Sequence, residues 1–131
     1  MRVTITKESY GPSKELKGRL RSLCFIAASA KVINLPDLYQ QAKEAYDSLA
    51  FQYNQQAKSN ERGFFQEMWD NFCNRERYVE KIGKMEDSYE YSTEYNTASQ
   101  LAKENIKLLH ELLKTTIEGL QKPYKPAPWE R

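Results

Sequence analysis

The stretch CFIAASAKVI, residues 24–33, is apolar on almost every side of a helix. The turns before it differ, because their apolar residues fall within about 60° of one another and so form a single stripe. A helix with both features needs packing partners on several sides of its second half. The sequence therefore predicts a first helix that begins after Ser13, a suitable N-cap, and ends inside a helical core or against a second subunit. The stripe comprises Leu16, Leu20, Leu23 and Ala27.

Two further helices are predicted in the middle of the chain. The second begins at Asn34, which with Asp37 resembles a capping box, and its apolar residues recur at helical spacing. A third helix is expected from Phe64 to Gly83 after the loop at 59–63. Glu76 falls inside its apolar stripe, where a carboxylate is most often an ion-pair partner and less often a catalytic acid.

The last helix is predicted to start at a capping box formed by Thr97 and Gln100. Its leucines cover about half of the helix circumference, with Leu112 near the centre of that apolar face. Four helices joined by short polar connections indicate a mainly α fold, a four-helix antiparallel bundle.

The ends of the chain are predicted to be extended. Residues 2–6, RVTIT, alternate polar and apolar side chains as a short strand does. We therefore expect one helical bundle domain over residues 1–121, with an extended arm at 1–12, and a Pro-rich tail at 122–131.

Charge is distributed unevenly, although the net charge is only +2. Residues 1–33 carry seven Lys and Arg against two acids, whereas residues 59–91 carry five against eight. On the first helix, Lys14, Lys17 and Arg21 lie on one side, beside the leucine stripe. We call these three residues the basic face. Three such charges are most often a solvated helix surface, and the alternative is a surface for phosphates or for an acidic protein.

The N-terminal 50 residues also resemble the ribbon-helix-helix DNA-binding family. The likeness rests on the strand RVTIT followed by two helices, the second entered at Asn34. In that family paired strands read the DNA major groove, which implies that Arg2, Thr4 and Thr6 contact bases. The seven-residue connection KESYGPS and the long first helix depart from the family pattern.

Aromatic residues suggest a second kind of contact. Phe51 points away from the apolar face of the second helix, and Trp129 lies in the Pro-rich tail. The segment DSYEYSTEYN is predicted to be an exposed connection between the last two helices, with Tyr89 and Tyr91 as contact residues. Such exposed aromatic residues favour a protein partner.

Several kinds of chemistry are not expected. His110 is the only histidine, and neither it nor the cysteines has the spacing of a metal site. The glycines are scattered, so a phosphate-binding loop is not predicted. Cys24 and Cys73 lie in apolar patterns and are expected to be buried free thiols, which suits the cytoplasm. We expect neither a cofactor nor a secretory signal nor a membrane span.

These observations predict a non-enzymatic binding subunit or adaptor of a larger assembly that uses the basic face. A protein is the expected partner, sequence-independent nucleic-acid binding is possible, and so is a homo-oligomer. One alternative is a ribbon-helix-helix-like DNA-binding regulator acting through residues 2–50. Another is a small inhibitor whose acidic, tyrosine-rich segment occupies a partner's nucleic-acid groove.

Overall fold

The computed structural model describes the backbone of residues 6–59 and 75–122, and the side chains of residues 11–55 and 80–122. This part of the chain is mainly helical, which confirms the prediction of a mainly α fold. Arg2, Thr4, Cys73, Trp129 and the tail from residue 123 lie outside the described residues. In chain order the elements are strand β1 (Thr6–Tyr10), helix α1 (Lys14–Val32), helix α2 (Pro36–Ser59), strand β2 (Arg75–Val79), a 3-10 turn (Met85–Asp87), helix α3 (Tyr89–Glu104) and helix α4 (Ile106–Leu120).

The two strands pair in parallel, with Thr6 opposite Arg75 and Tyr10 opposite Val79. The strand predicted at residues 2–6 shares only Thr6 with β1, and its other residues are not described. The prediction that the third helix continues to Gly83 is wrong, because strand β2 occupies residues 75–79 and residues 80–84 are neither helix nor strand. The spacing of apolar residues in this segment is typical of a helix. The backbone groups of residues 75–79 instead pair with those of β1, which is distant in the sequence.

Helix α1 contacts each of the other three helices in the described part of the chain. Ser13 caps it as predicted, since its Oγ accepts a hydrogen bond from the Leu16 amide at 3.1 Å. The predicted leucine stripe is buried, and from Cys24 to Ala30 every residue except Phe25 is buried. Burial on several sides of the second half of α1 follows from its apolar sequence. Its many small side chains also let neighbouring helices approach closely.

The turn between α1 and α2 differs from the prediction. Asn34 has a φ of 60°, the left-handed conformation that Asn tolerates better than most residues. The Leu35 amide reaches back to the Ala30 carbonyl at 2.7 Å, as in a Schellman motif. Asn34 therefore ends α1 and does not cap α2, whose first turn closes on the carbonyl of Leu35 by a 3.0 Å bond from Tyr39.

Two side chains of α2 form hydrogen bonds with the backbone of the segment that follows β2, residues 80–84. The side-chain Nδ2 of Asn54 donates to the backbone carbonyl of Ile82 at 2.8 Å, and its Oδ1 accepts from the backbone N–H of Ile82 at 2.8 Å. Tyr53, the preceding residue, donates its hydroxyl to the Glu80 carbonyl. Asn54 therefore gives Ile82 the two bonds that a neighbouring strand would give it.

The tyrosine-rich segment is helical, so its prediction as a connection is wrong. Ser88 caps α3 by accepting from the Tyr91 amide at 3.1 Å. Thr97 lies inside α3, where its hydroxyl donates to the Thr93 carbonyl at 3.0 Å, so it caps nothing. The N-cap of α3, Ser88, thus lies nine residues before the predicted N-cap, Thr97.

Asn105 separates α3 from α4 with an extended backbone, φ −161° and ψ 100°. Its side chain accepts from the amides of Lys107 and Leu108 at 3.1 and 3.3 Å, which makes it the N-cap of α4. A single helix running on from Thr97 is therefore replaced by two helices.

Helix α4 buries only part of the predicted apolar face. Leu109 is fully buried and Leu113 is 4% exposed, whereas Leu112 is 39% exposed. The placement of Leu112 at the centre of the buried face is therefore wrong. Leu109 packs in a cluster with Ala28 of α1 and Ala98 of α3.

Candidate interaction groove

Two surfaces that sequence patterns single out separately lie next to each other in the fold. They are the basic face of α1 and the tyrosine-rich start of α3. A groove of about 470 Å³ separates them, and we call it the interaction groove. It is lined by Lys17, Gly18 and Arg21 from α1 and by Tyr89, Glu90 and Thr93 from α3.

Arg21 and Glu94 join the two walls below this groove. The Arg21 Nε donates to the Glu94 Oε1 at 2.9 Å, and Glu94 is buried whereas Arg21 is exposed. The hydrogen bond and then the charge of Glu94 raise the pKa of Arg21, with a smaller contribution from Glu90. One of the three cations of the basic face is therefore ion-paired with a carboxylate of the same chain. This structural role of Arg21 was not predicted from the sequence.

Lys14 and Lys17 are the other two cations, and both are exposed. Neither forms an ion pair with a side chain that the structure describes. Glu15, the one acid in the first turn of α1, lines a separate groove with Arg19 against α4. Within the described part of the chain, the unpaired cations of the basic face are therefore Lys17, which lines the interaction groove, and Lys14, which lies three residues before it on the same side of α1.

The tyrosines of α3 differ in exposure. Tyr89 is 81% exposed, so its ring is available to a partner. Tyr91 is half-buried against the core, and burial is the main cause of its raised pKa. Its ring centroid lies 6.2 Å from that of Tyr95. Of the two predicted contact tyrosines, Tyr89 is thus on the surface of the groove and Tyr91 is mainly part of the fold.

A smaller cavity of about 170 Å³ continues the groove toward the core, since Lys17 and Glu90 line both. Tyr46 and Ser88 contribute hydroxyl groups to this cavity, and Ile82 contributes an apolar wall. Glu80 and Lys81 also line it, so the smaller cavity combines charged, hydroxyl and apolar groups.

Cys24 lies close to Ser88, with 3.9 Å between its Sγ and the Ser88 Oγ. It is fully buried and free, as predicted. Burial raises the pKa of the Cys24 thiol to about 12, so the nucleophilic thiolate is strongly disfavoured at neutral pH. Cys24 therefore fits a packing role better than a catalytic one.

A polar cluster fixes the 3-10 turn beside α3. The Glu86 carboxylate accepts from Lys43 at 2.9 Å and from the Tyr39 hydroxyl at 2.8 Å. The Lys31 ammonium lies 5.4 Å from the centre of the Tyr39 ring. The hydrogen bonds from Lys43 and Tyr39 lower the pKa of Glu86, while burial and then the Glu86 bond raise that of Tyr39.

The lowered pKa of Glu86 predicts a pH dependence of stability. Its contribution is present above the pKa of the unfolded carboxyl and is lost as the pH falls through the lower folded pKa. The melting temperature of Glu86→Gln should therefore lie below that of the wild type at neutral pH and approach it in acid. Thermal unfolding across this pH range, with Lys43→Gln as the matched partner variant, measures the effect. A difference that grows in acid would contradict the assignment.

The structure places the remaining predicted site residues elsewhere or does not describe them. Phe51 is 63% exposed on α2, which does not contribute to the lining of the interaction groove. Thr6 is the first residue of β1, and its side chain is not described. The structure thus brings together Lys17, Arg21 and Tyr89 from the predicted set.

Glu90, Glu94, Gly18 and Thr93 belong to the site but were not predicted. A signal for three of them exists, because Tyr89, Glu90, Thr93 and Glu94 recur at helical i, i+4 spacing.

Within residues 6–59 and 75–122, no three His, Cys, Asp or Glu side chains gather closely enough to hold a metal ion. None of the described helices combines the length and the apolar character needed to cross a membrane. Comparison of the chain with protein-family models, curated proteins and solved structures finds no match.

Proposed function

We propose that the chain is a non-enzymatic helical binding subunit or adaptor of a larger cytoplasmic assembly, with the interaction groove as its contact surface. The observation that carries this proposal is the juxtaposition of exposed Tyr89 with exposed Lys17 across a groove. Lys14 lies three residues before Lys17 on the same side of α1, so it extends the positive charge beyond the groove lining. Tyrosine supplies a large contact area at a low entropic cost, and the lysines supply charge for orientation. The volume of the groove, about 470 Å³, is within the range of ligand clefts.

The proposal includes an antiparallel four-helix bundle as the scaffold. Lys31 of α1 lies over Tyr39 near the start of α2, which supports opposite directions for these helices. The Arg21–Glu94 pair and the Ala28–Ala98 cluster support a parallel course for α1 and α3. Helix α4 runs back, because Arg19 of α1 donates to the carbonyls of Leu120 and Lys122 at 2.8 and 2.7 Å.

The chemistry of the groove favours binding over catalysis. Its arginine is already paired with Glu94, and the nearby thiol of Cys24 is held in its protonated form by burial. Catalytic sites instead place groups with suitably shifted pKa values within reach of a substrate.

Sequence-independent nucleic-acid binding is a second candidate, favoured by the exposure of Lys14 and Lys17. The carboxylate of Glu90 lines the same groove and repels phosphates, which disfavours nucleic-acid binding. The ribbon-helix-helix-like regulator depends on Arg2 and Thr4, which are not described, and the inhibitor depends on the exposed start of α3. Both stay predictions.

Filling the groove tests the proposal. A Cβ added at Gly18 or at Gly119 meets no atom within 4 Å, so a larger side chain has space at both. Gly18→Trp would occupy the interaction groove, and Gly119→Trp would occupy the separate groove between α1 and α4. We expect Gly18→Trp to reduce capture of specific proteins from native lysate about tenfold or more, whereas Gly119→Trp should retain them. Quantitative mass spectrometry of the captured proteins gives the comparison.

Two controls complete the experiment. Circular dichroism melting of both variants shows whether the fold is kept, and nuclease treatment of the lysate separates protein contacts from nucleic-acid contacts. Equal capture by the wild type and Gly18→Trp would refute the interaction groove as the contact surface. Capture that disappears only after nuclease treatment would favour the nucleic-acid candidate.

A further inference from the structure

We infer that the interaction groove binds an acidic segment of a partner polypeptide, with partner carboxylates on Lys14 and Lys17 and an apolar or aromatic side chain against Tyr89. This inference rests on the proposed function and adds the chemistry of the partner. It depends on which cations of the basic face are ion-paired, as Arg21 is with Glu94, and which are not, as for Lys14 and Lys17 among the described residues.

The edge of the groove on α1 carries uncompensated positive charge. Lys14 and Lys17 lie three residues apart and therefore on neighbouring positions of the same side of the helix. Both are exposed, and no described carboxylate pairs with them. Glu15 does not neutralise them, because it lines the groove on the α4 side. An acidic residue of a partner would find two free ammonium groups at this edge.

The wall on α3 has the opposite charge and an aromatic surface. Glu90 is exposed and lines both the interaction groove and the smaller cavity behind it. Tyr89, next to it, is the most exposed of the large hydrophobic residues in the described part of the chain, at 81%. A bound chain must therefore tolerate a carboxylate in the same groove as Lys17.

A polypeptide satisfies this mixed charge better than a nucleic acid does. A phosphate backbone carries a charge at every nucleotide, so it would be repelled by Glu90 while it contacts Lys17. A peptide carries carboxylates at selected positions, and its amide N–H groups can donate to Glu90. Arg21 is also less available to phosphates, because its Nε is bonded to buried Glu94. Charge complementarity thus favours an acidic peptide segment.

The probe for this inference is a fluorescently labelled random copolymer of glutamate and tyrosine, with oligothymidylate as the nucleic-acid comparison. Replacing both Lys14 and Lys17 with Gln should weaken binding of the copolymer by about 5- to 30-fold at low salt, the effect of losing two exposed charge contacts. The double variant Lys103→Gln/Lys107→Gln removes the same charge from exposed positions near the junction of α3 and α4. It should bind within about twofold of the wild type.

Gly18→Trp tests whether the copolymer binds in the interaction groove, because Gly18 lines this groove. It should weaken binding by about tenfold, whereas Gly119→Trp should not. Equal binding by the wild type and the Lys14/Lys17 variant would overturn the inference. So would weakening by the lysine substitutions without any effect of Gly18→Trp, because the attraction would then be unspecific. Tighter, lysine-dependent binding of oligothymidylate would also overturn it and assign nucleic acid to the groove.

The same variants separate this inference from the proposed function. If capture of native partners is lost in Gly18→Trp but kept in the Lys14/Lys17 variant, the groove is a contact surface and the acidic partner is wrong. If Gly18→Trp retains every partner, the proposed function itself is wrong.

Discussion

Replacing Leu109 with Ala is expected to lower the free energy of unfolding by about 3–5 kcal/mol, the upper part of the range for buried leucines. Leu109 is fully buried in a cluster with Ala28 and Ala98, which are themselves fully buried. The methyl groups of these alanines are fixed to the backbones of α1 and α3, so they cannot move into the cavity. Poor relaxation of this kind makes a cavity costly. Urea unfolding followed by circular dichroism measures the change.

Leu112→Ala is the matched control for this prediction. Leu112 is 39% exposed, so truncating it should cost about 1 kcal/mol or less. Both variants have the same change in helix propensity, and the difference between them therefore reports burial. Equal losses, or a larger loss at Leu112, would show that α4 packs through a different face.

Helix α1 could be predicted well from sequence because its signals agree. Ser13 is a favourable N-cap, and the apolar pattern changes from one stripe to all sides at Cys24. The structure follows both signals, since the cap bond forms and α1 contacts three helices. A helix segment that is apolar around its whole circumference is stable only when it is buried among other elements.

The start and register of the later helices could not be predicted in this way. Thr97 and Gln100 have the spacing of a capping box, but Ser88 caps α3 instead. Starting the helix at Ser88 places Ala98 against Ala28, a contact between residues far apart in sequence. Local cap preferences amount to about 1 kcal/mol, which burial of a helix face readily exceeds.

The groove was partly predictable. Lys14, Lys17 and Arg21 stand out from the sequence as a basic face, and Tyr89 as a contact residue. Their helices are brought together by the packing of α1 against α3, which also pairs Arg21 with Glu94, 73 residues away in the sequence. Sequence patterns describe the sides of single helices, whereas the site arises from the way two helices pack. The pairing of β1 with β2 escaped prediction for the same reason.

Asn54→Ala is expected to lower the free energy of unfolding by about 2–3 kcal/mol, because it removes two hydrogen bonds and leaves both backbone groups of Ile82 without their partner. Those bonds are 2.8 Å long and part-buried. They hold the segment that connects β2 to the 3-10 turn and that forms one wall of the cavity behind the interaction groove. The loss should therefore appear both in urea unfolding and in faster hydrogen exchange of the Ile82 amide.

Gln55→Ala provides the control, since Gln55 is the next residue on α2 and is exposed. It should change stability by less than about 0.5 kcal/mol and leave the exchange of Ile82 unaltered. The two measurements distinguish a local from a general effect, because loss of the Asn54 bonds should speed exchange at Ile82 more than at Leu23 in the centre of α1. If Asn54→Ala and Gln55→Ala unfold at the same urea concentration, Asn54 does not hold this segment. The wall of the cavity must then depend on Tyr53 and its bond to Glu80.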